Sequence, residues 1–173
     1  MELVKEIPIM YFPDCLEDVI YRYQDTIYRI AFTYCRNTSD AEDIAQEAFL
    51  RYIKKMPWLQ SEEHLKAWLI RVTVNIAKSL STSSWSKKIV PISEHDPVIA
   101  DERTETDTAT DTYYAVMSLP EKYRSVIMLY YYEDYSIGEI AQILNRTETA
   151  IQTQLQRARA MLKNKLKEEW GND

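Results

Sequence analysis

The sequence predicts an all-α fold: two small helical domains joined by a flexible linker. Three observations predict it. The 173 residues include only two glycines, Gly138 and Gly171, and a chain with many hairpins would need more. Pro13, Pro57, Pro91, Pro97 and Pro120 each precede or separate apolar-periodic runs rather than interrupt them. Between those breaks, apolar residues recur at helical spacing.

The first helix is expected from about Cys15 to Tyr34. Leu16, Val19, Ile20, Tyr23, Ile27, Ile30, Ala31 and Tyr34 form its buried stripe, and Asp14 with Glu17 reads as its cap. The second is expected from Ser39, capped with Glu42, to about Met56. Its stripe is Ala41, Ala45, Ala48, Phe49, Tyr52 and Met56. The third follows Ser61 and buries Leu65, Trp68, Leu69, Val72 and Ile76. These three helices can share one core, a domain over residues 11–88.

The stretch from Pro91 to Thr112 is acidic, rich in Thr and Asp, and without helical periodicity. It reads as a linker extended by self-repulsion, over residues 89–112. A second domain over residues 113–170 follows. Pro120 opens a helix carrying Val126, Ile127, Leu129 and Tyr130. Ser136 with Glu139 is a capping box that starts a short helix, Asn145 and Arg146 make a turn, and Thr147 caps a long last helix.

Composition excludes some functions. The net charge is −6, which argues against a protein that simply coats DNA. Most of that charge lies in the linker, where Glu94, Asp96, Asp101, Glu102, Glu105, Asp107 and Asp111 face only Arg103. No apolar run approaches the roughly 18 residues of a membrane span, and the N-terminal residues do not read as a secretory signal, so cytoplasm is expected. Cys15 and Cys35 make no CxxC pair, and His64 and His95 are too few to complete a metal site with them. There is no phosphate-binding glycine loop and no nucleophile elbow. No enzyme, cofactor or small-molecule substrate is therefore expected.

Three segments carry possible chemistry. From Ser136 to Lys163, a short helix, a tight turn and a longer polar-fronted helix make a helix-turn-helix. Thr149, Gln152, Thr153 and Gln156 can reach base edges, and Gln can bond adenine bidentately. Arg146, Arg157 and Arg159 can neutralise phosphates. The plain alternative is a helical hairpin with a solvated face. In the second helix, Glu42, Asp43, Gln46, Glu47, Leu50 and Arg51 point outward. An exposed Leu among acids suits a protein partner better than nucleic acid, though periodicity alone favours a solvated face. In the third helix, Arg71, Asn75 and Lys78 form a polar row that can track a DNA strand or be a mixed surface.

These segments, in this order, resemble the extracytoplasmic-function sigma factors of bacterial RNA polymerase. Ile27-Tyr-Arg-Ile-Ala31, Asp40-Ala-Glu-Asp-Ile-Ala-Gln-Glu-Ala-Phe-Leu-Arg51 and Ala67-Trp-Leu-Ile-Arg-Val-Thr-Val-Asn75 resemble their region 2. Leu119-Pro-Glu-Lys-Tyr-Arg124, Ser136-Ile-Gly-Glu-Ile-Ala141 and Leu155-Gln-Arg-Ala-Arg159 resemble their region 4. The resemblance implies an initiation subunit that directs core RNA polymerase to promoter DNA and is held inactive by an anti-sigma factor. It implies that Asp43, Gln46, Glu47 and Leu50 dock on the polymerase. It implies that Arg71, Asn75 and Lys78, with the loop from Pro57 to His64, open the minus-10 element and hold a flipped base. Gln152, Thr153, Gln156 and Arg157 match the positions that read the minus-35 element. Two departures weaken the hold on DNA: Gln152 and Gln154 stand where the family commonly has Lys or Arg, and Ser79 to Trp85 lacks the arginines of many members. The alternatives are a free-standing helix-turn-helix regulator with a sensing or dimerising N-terminal domain, and a helical adaptor.

Overall fold

The computed structural model describes residues 15–81 and 107–170. Seven α-helices and no strands occur among them: α1 (Leu16–Cys35), α2 (Thr38–Lys55), α3 (Glu62–Ser81), α4 (Asp107–Met117), α5 (Glu121–Ile127), α6 (Ile137–Leu144) and α7 (Glu148–Trp170). The first three pack on one another as one bundle, and the last four form a second. The bundles lie side against side, α1 against α5 and α3 against α6.

In α1 the expected stripe is buried at Val19, Tyr23, Ile27, Ile30 and Ala31, with Leu16, Ile20 and Tyr34 packed at its edge. Phe32 and Thr33 are also buried, off the stripe. One reason is visible at this end of α1: Arg124 of α5 donates from Nε to the Thr33 carbonyl oxygen. The cap differs from expectation. Asp14 lies outside the described residues, and the Cys15 thiol accepts from the Asp18 amide at 3.4 Å.

The start of α2 also moves. Asn37, not Ser39, is the N-cap, and its Oδ1 accepts from the Asp40 amide at 2.8 Å. Asn caps as well as Ser, and here its extended backbone places the amide first. The core of α2 is Ala41, Ile44, Ala48, Phe49 and Tyr52. Met56 is not in it: it ends the helix in the left-handed region at φ 39°, and 65% of it is exposed. Ser61 does cap α3, accepting from the His64 amide at 3.1 Å. Leu65, Leu69 and Ile76 are buried as expected, while Trp68 and Val72 stay half-buried. Ile70, Thr73, Val74 and Ala77 are buried as well, because α3 is flanked by α1 and α2 and also by α6.

The linker reading needs its end moved. Helix α4 begins at Asp107, inside the stretch read as linker to Thr112, and inserts Tyr113, Val116 and Met117 into the core. Residues 82–106 lie outside the described residues. Pro120 opens α5 as expected. Beyond Ile127 the helix widens into a π-helical turn, Met128–Tyr132, closed by the Glu133 amide donating to the Met128 carbonyl at 3.2 Å. The capping box forms as read: Ser136 accepts from the Glu139 amide at 3.3 Å and its own amide donates to the Glu139 carboxylate at 2.8 Å. Asn145 makes the turn in the left-handed region, φ 52°, which Asn tolerates better than most residues. Thr147 caps α7 through the Ala150 amide at 3.2 Å.

Candidate nucleic-acid interface

Helix α7 stands on Ile151, Leu155 and Ala158, all buried, at spacings of one turn. The opposite side therefore faces out. Thr149, Gln152, Gln156 and Arg157 are exposed there, and Thr153 is half-exposed with its hydroxyl donating to the Thr149 carbonyl at 2.9 Å. A concavity of about 390 Å³ flanks this face, lined by Lys122, Tyr123, Thr149, Thr153 and Arg157 among others. Tyr123 lies against Arg157, whose hydrogen bond holds the phenol below its usual pKa. Lys122 and Tyr123 were invisible as partners in the sequence, because only the packing of α5 on α7 brings them to Arg157.

The other two arginines behave differently. Arg146 is half-buried and donates to Gln154 Oε1 at 2.9 Å. It lies close enough to Lys78 of α3 to help lower that lysine's pKa, so it stands at the seam between the bundles. Arg159 turns to the π-helical turn, donating to the Tyr131 hydroxyl at 2.7 Å with its guanidinium over the Tyr130 and Tyr131 rings. That contact stabilises the bundle rather than presenting a free cation.

On α3 the expected row exists. Arg71 and Asn75 are exposed and Lys78 is half-buried. The row is not free, however. Arg71 Nη2 donates to the Gln142 carbonyl of α6 at 2.7 Å. Burial first, and the charge of Arg146 second, push the Lys78 ammonium below its ordinary pKa. Before α3, the α2–α3 loop holds an aromatic that sequence reasoning did not single out. Trp58 is 61% exposed, while its neighbour Leu59 is buried and anchors the loop. Beside the exposed Met56, Trp58 offers a ring face on which a base can stack.

The outward face of α2 is also as read. Asp43, Gln46 and Leu50 are exposed; Glu47 is half-buried and pairs with Arg51 one turn on, at 2.8 Å. Ile53 continues the apolar edge of Leu50. No described helix is long and apolar enough to cross a membrane.

Comparison with known proteins gives the same division. The family "Sigma-70 region 2" matches residues 19–86, and the family "Sigma-70, region 4" matches residues 111–162. The chain is 27% identical over 169 residues to the ECF RNA polymerase sigma factor SigW of Bacillus subtilis, covering 90% of each chain. It is 28% identical over 156 residues to the sigma factor SigV of the same organism, again covering 90% of each. In fold it is similar to the sigma factor RpoE solved in complex with the anti-sigma factor NepR from Bartonella quintana. The TM-score is 0.70 at 21% identity, over 87% of this chain and 96% of that one. It is similar also to CnrH, solved with the cytosolic domain of CnrY, with a TM-score of 0.60 at 20% identity over 87% and 86% of the two chains. The free-standing regulator is not favoured, since the two sigma regions match in order across most of the chain. The chain belongs to the sigma-70 family and is an RNA polymerase sigma factor of the extracytoplasmic-function type.

Proposed function

We propose a division of labour among three faces. The outward side of α2, with Asp43, Gln46, Glu47 and Leu50, docks on core RNA polymerase. The row Arg71, Asn75 and Lys78 on α3, with Trp58 of the loop before α3, takes the single strand of a melted minus-10 element. The outer face of α7, with Thr149, Gln152, Thr153, Gln156 and Arg157, reads the minus-35 duplex; Arg146, at the seam, reaches a phosphate once the bundles part. The observation that carries this reading is the α7 face. It sets base-reading side chains and a cation on one exposed side of a helix whose other side is core.

The protein does this without catalytic chemistry of its own, in the cytoplasm, where its polymerase works. An anti-sigma factor holds it inactive; support comes from the fold likeness to the sigma factor RpoE, solved in complex with the anti-sigma factor NepR. The test is transcription from a promoter library by core polymerase with and without this protein. Specific new transcripts are expected. Their absence, with a folded protein that binds DNA alone, would return the chain to the regulator class.

A further inference from the structure

We infer that Tyr123 is a positioning residue of the upstream interface: its hydroxyl holds Arg157 toward Lys122, and the two cations together seat one phosphate of the duplex. The inference rests on the assignment of the α7 face to duplex DNA. It adds a second helix, α5, to the same grip.

The seat is the concavity of about 390 Å³ between α5 and α7. Its described lining includes two cations, Lys122 and Arg157, and no carboxylate. In a chain of net charge −6, that local balance favours an anion. Thr149, Thr153 and Arg157 follow one another at intervals of four, so they form one row on α7, and all three line the concavity. Gln152 and Gln156 form the neighbouring row and do not line it. The glutamine amides suit base edges. Arg157 lies on the α5 side of them, where the sugar-phosphate strand bordering a groove would run.

Tyr123 supplies what a loose pair of surface cations lacks. Its ring packs at the edge of the core, so its hydroxyl is a fixed point. Arg157 donates to that oxygen and Lys122 also bonds it, and together they hold the phenol below its usual pKa. The Lys122 ammonium lies over the ring as well, 4.9 Å from its centre. One helix thus presents a lysine and the other an arginine to the same oxygen. Each keeps further N–H groups to give. A phosphate set between them meets charge-assisted donors from both and relieves the repulsion between the two cations. Without the phenol, Arg157 would have to be ordered at the moment of binding, at a cost in side-chain entropy.

The rival reading is that Tyr123 only packs. The two readings part on whether a substitution that removes no charge alters the response to salt. Tyr123→Phe keeps the ring and its packing and loses the hydroxyl alone. The test is binding of holoenzyme to duplex promoter fragments with a randomised upstream element, over a range of salt. Wild type is compared with Tyr123→Phe, Arg157→Ala, Lys122→Met and the double variant Tyr123→Phe/Arg157→Ala, each checked for folding by circular dichroism and thermal melting. Tyr123→Phe should weaken binding about threefold to tenfold on all upstream sequences alike, the effect of leaving one long side chain unordered. It should also lower the salt slope by up to about one unit, because a loose Arg157 no longer neutralises its phosphate. The double variant should bind no worse than Arg157→Ala, since Tyr123 acts through Arg157. Lys122→Met should lower the slope by about one unit by its own charge. A folded Tyr123→Phe with wild-type affinity and slope overturns the inference and leaves the α7 reading standing. So does a double variant weaker than Arg157→Ala by the full Tyr123→Phe factor, which would make the hydroxyl an independent contact. If Arg157→Ala itself binds like wild type, the α7 reading fails at Arg157 and the inference falls with it.

Discussion

The two helices proposed to meet DNA, α3 and α7, are built alike and presented differently. Both α3 and α7 rest one side on core and carry a polar row on the other. The row on α7 faces out beside a concavity that holds Lys122 and Arg157. The row on α3 also faces out at Arg71 and Asn75, but Arg71 is bonded to a backbone carbonyl of α6 and Lys78 is half-buried. The difference fits the order of events at a promoter. Duplex DNA is available from the start, whereas a single strand exists only after melting. Substitutions on the α7 face should therefore act directly, and substitution of Arg71 should act twice, on DNA and on the contact with α6.

The largest effect is expected on an open face away from both rows. Glu47→Lys reverses charge on the side of α2 assigned to the polymerase and leaves the buried Ala48, Phe49 and Tyr52 untouched. The wild-type pair with Arg51 becomes a repulsion one turn apart, which costs the helix only a few tenths of a kcal/mol. A like-charge clash in the interface costs several kcal/mol, on the order of two decades in affinity. Competition binding to core polymerase against wild type reads it. A folded Glu47→Lys that competes as well as wild type removes Glu47 from the docking face.

On α7, Gln152→Ala should relax base preference at one or two positions of the upstream element, by about 1–3 kcal/mol of discrimination. Arg157→Ala should instead weaken all promoters alike and lower the salt slope by about one unit. Transcription by holoenzyme across a library of upstream elements separates the two. A Gln152→Ala profile with unchanged preferences would take Gln152 out of the readout. An Arg157→Ala defect confined to one base pair would make Arg157 a base reader.

Arg71→Ala tests the α3 row. It removes a strand contact, which weakens binding, and the bond to Gln142, which favours opening. The two offset in the free chain, so strand affinity should change by less than about threefold, a fraction of the effect of one phosphate contact at low salt. In holoenzyme open-complex formation should slow, because a contact to the strand is lost. A folded Arg71→Ala with unchanged open-complex formation would take Arg71 out of the minus-10 row.

What could be read from sequence follows from the range of the forces involved. The existence of every described helix but α4, the capping box at Ser136 and Glu139, and the α7 faces come from short-range periodicity and hydrogen bonding, and these were legible. The α2 cap was misplaced because Asn37 and Ser39 both qualify, and only the backbone selects between them. Helix α4 was missed because Asp, Thr and Ala at its start carry no apolar period; Tyr113, Val116 and Met117 become helical by packing beneath α5 and α7. The seam was illegible altogether. Glu133 in a run of tyrosines and aspartate reads as a surface acid, yet it is buried and pairs with Arg29 and Lys66, 104 and 67 positions away. Arg146 shows the same limit, since its partner Gln154 is eight residues on but its place at the seam depends on α3.

The smallest effect expected is on stability, and it asks whether the bundles unfold together. Ser136→Ala removes the hydroxyl that accepts the Glu139 amide and donates to the Glu139 carboxylate at 2.7 Å. Loss of such a cap costs about 1 kcal/mol. Those bonds to Ser136 also hold the Glu139 carboxyl below its usual pKa. A depressed carboxylate adds stability above its unfolded pKa and loses it as pH falls through the folded one. The gap between wild type and Ser136→Ala should therefore be widest near neutral pH and narrow below about pH 4, the ordinary glutamate range. It should not vanish, because the amide bond to the Ser136 hydroxyl does not titrate. Urea melts at several pH values measure the gap. Following them by hydrogen exchange in α1 and α6 separately shows where it falls. If the packing of α1 on α5 and of α3 on α6 couples the bundles, protection in α1 at Ile27 and Ile30 should drop with that in α6. If α6 alone loses protection, the seam contributes little to stability.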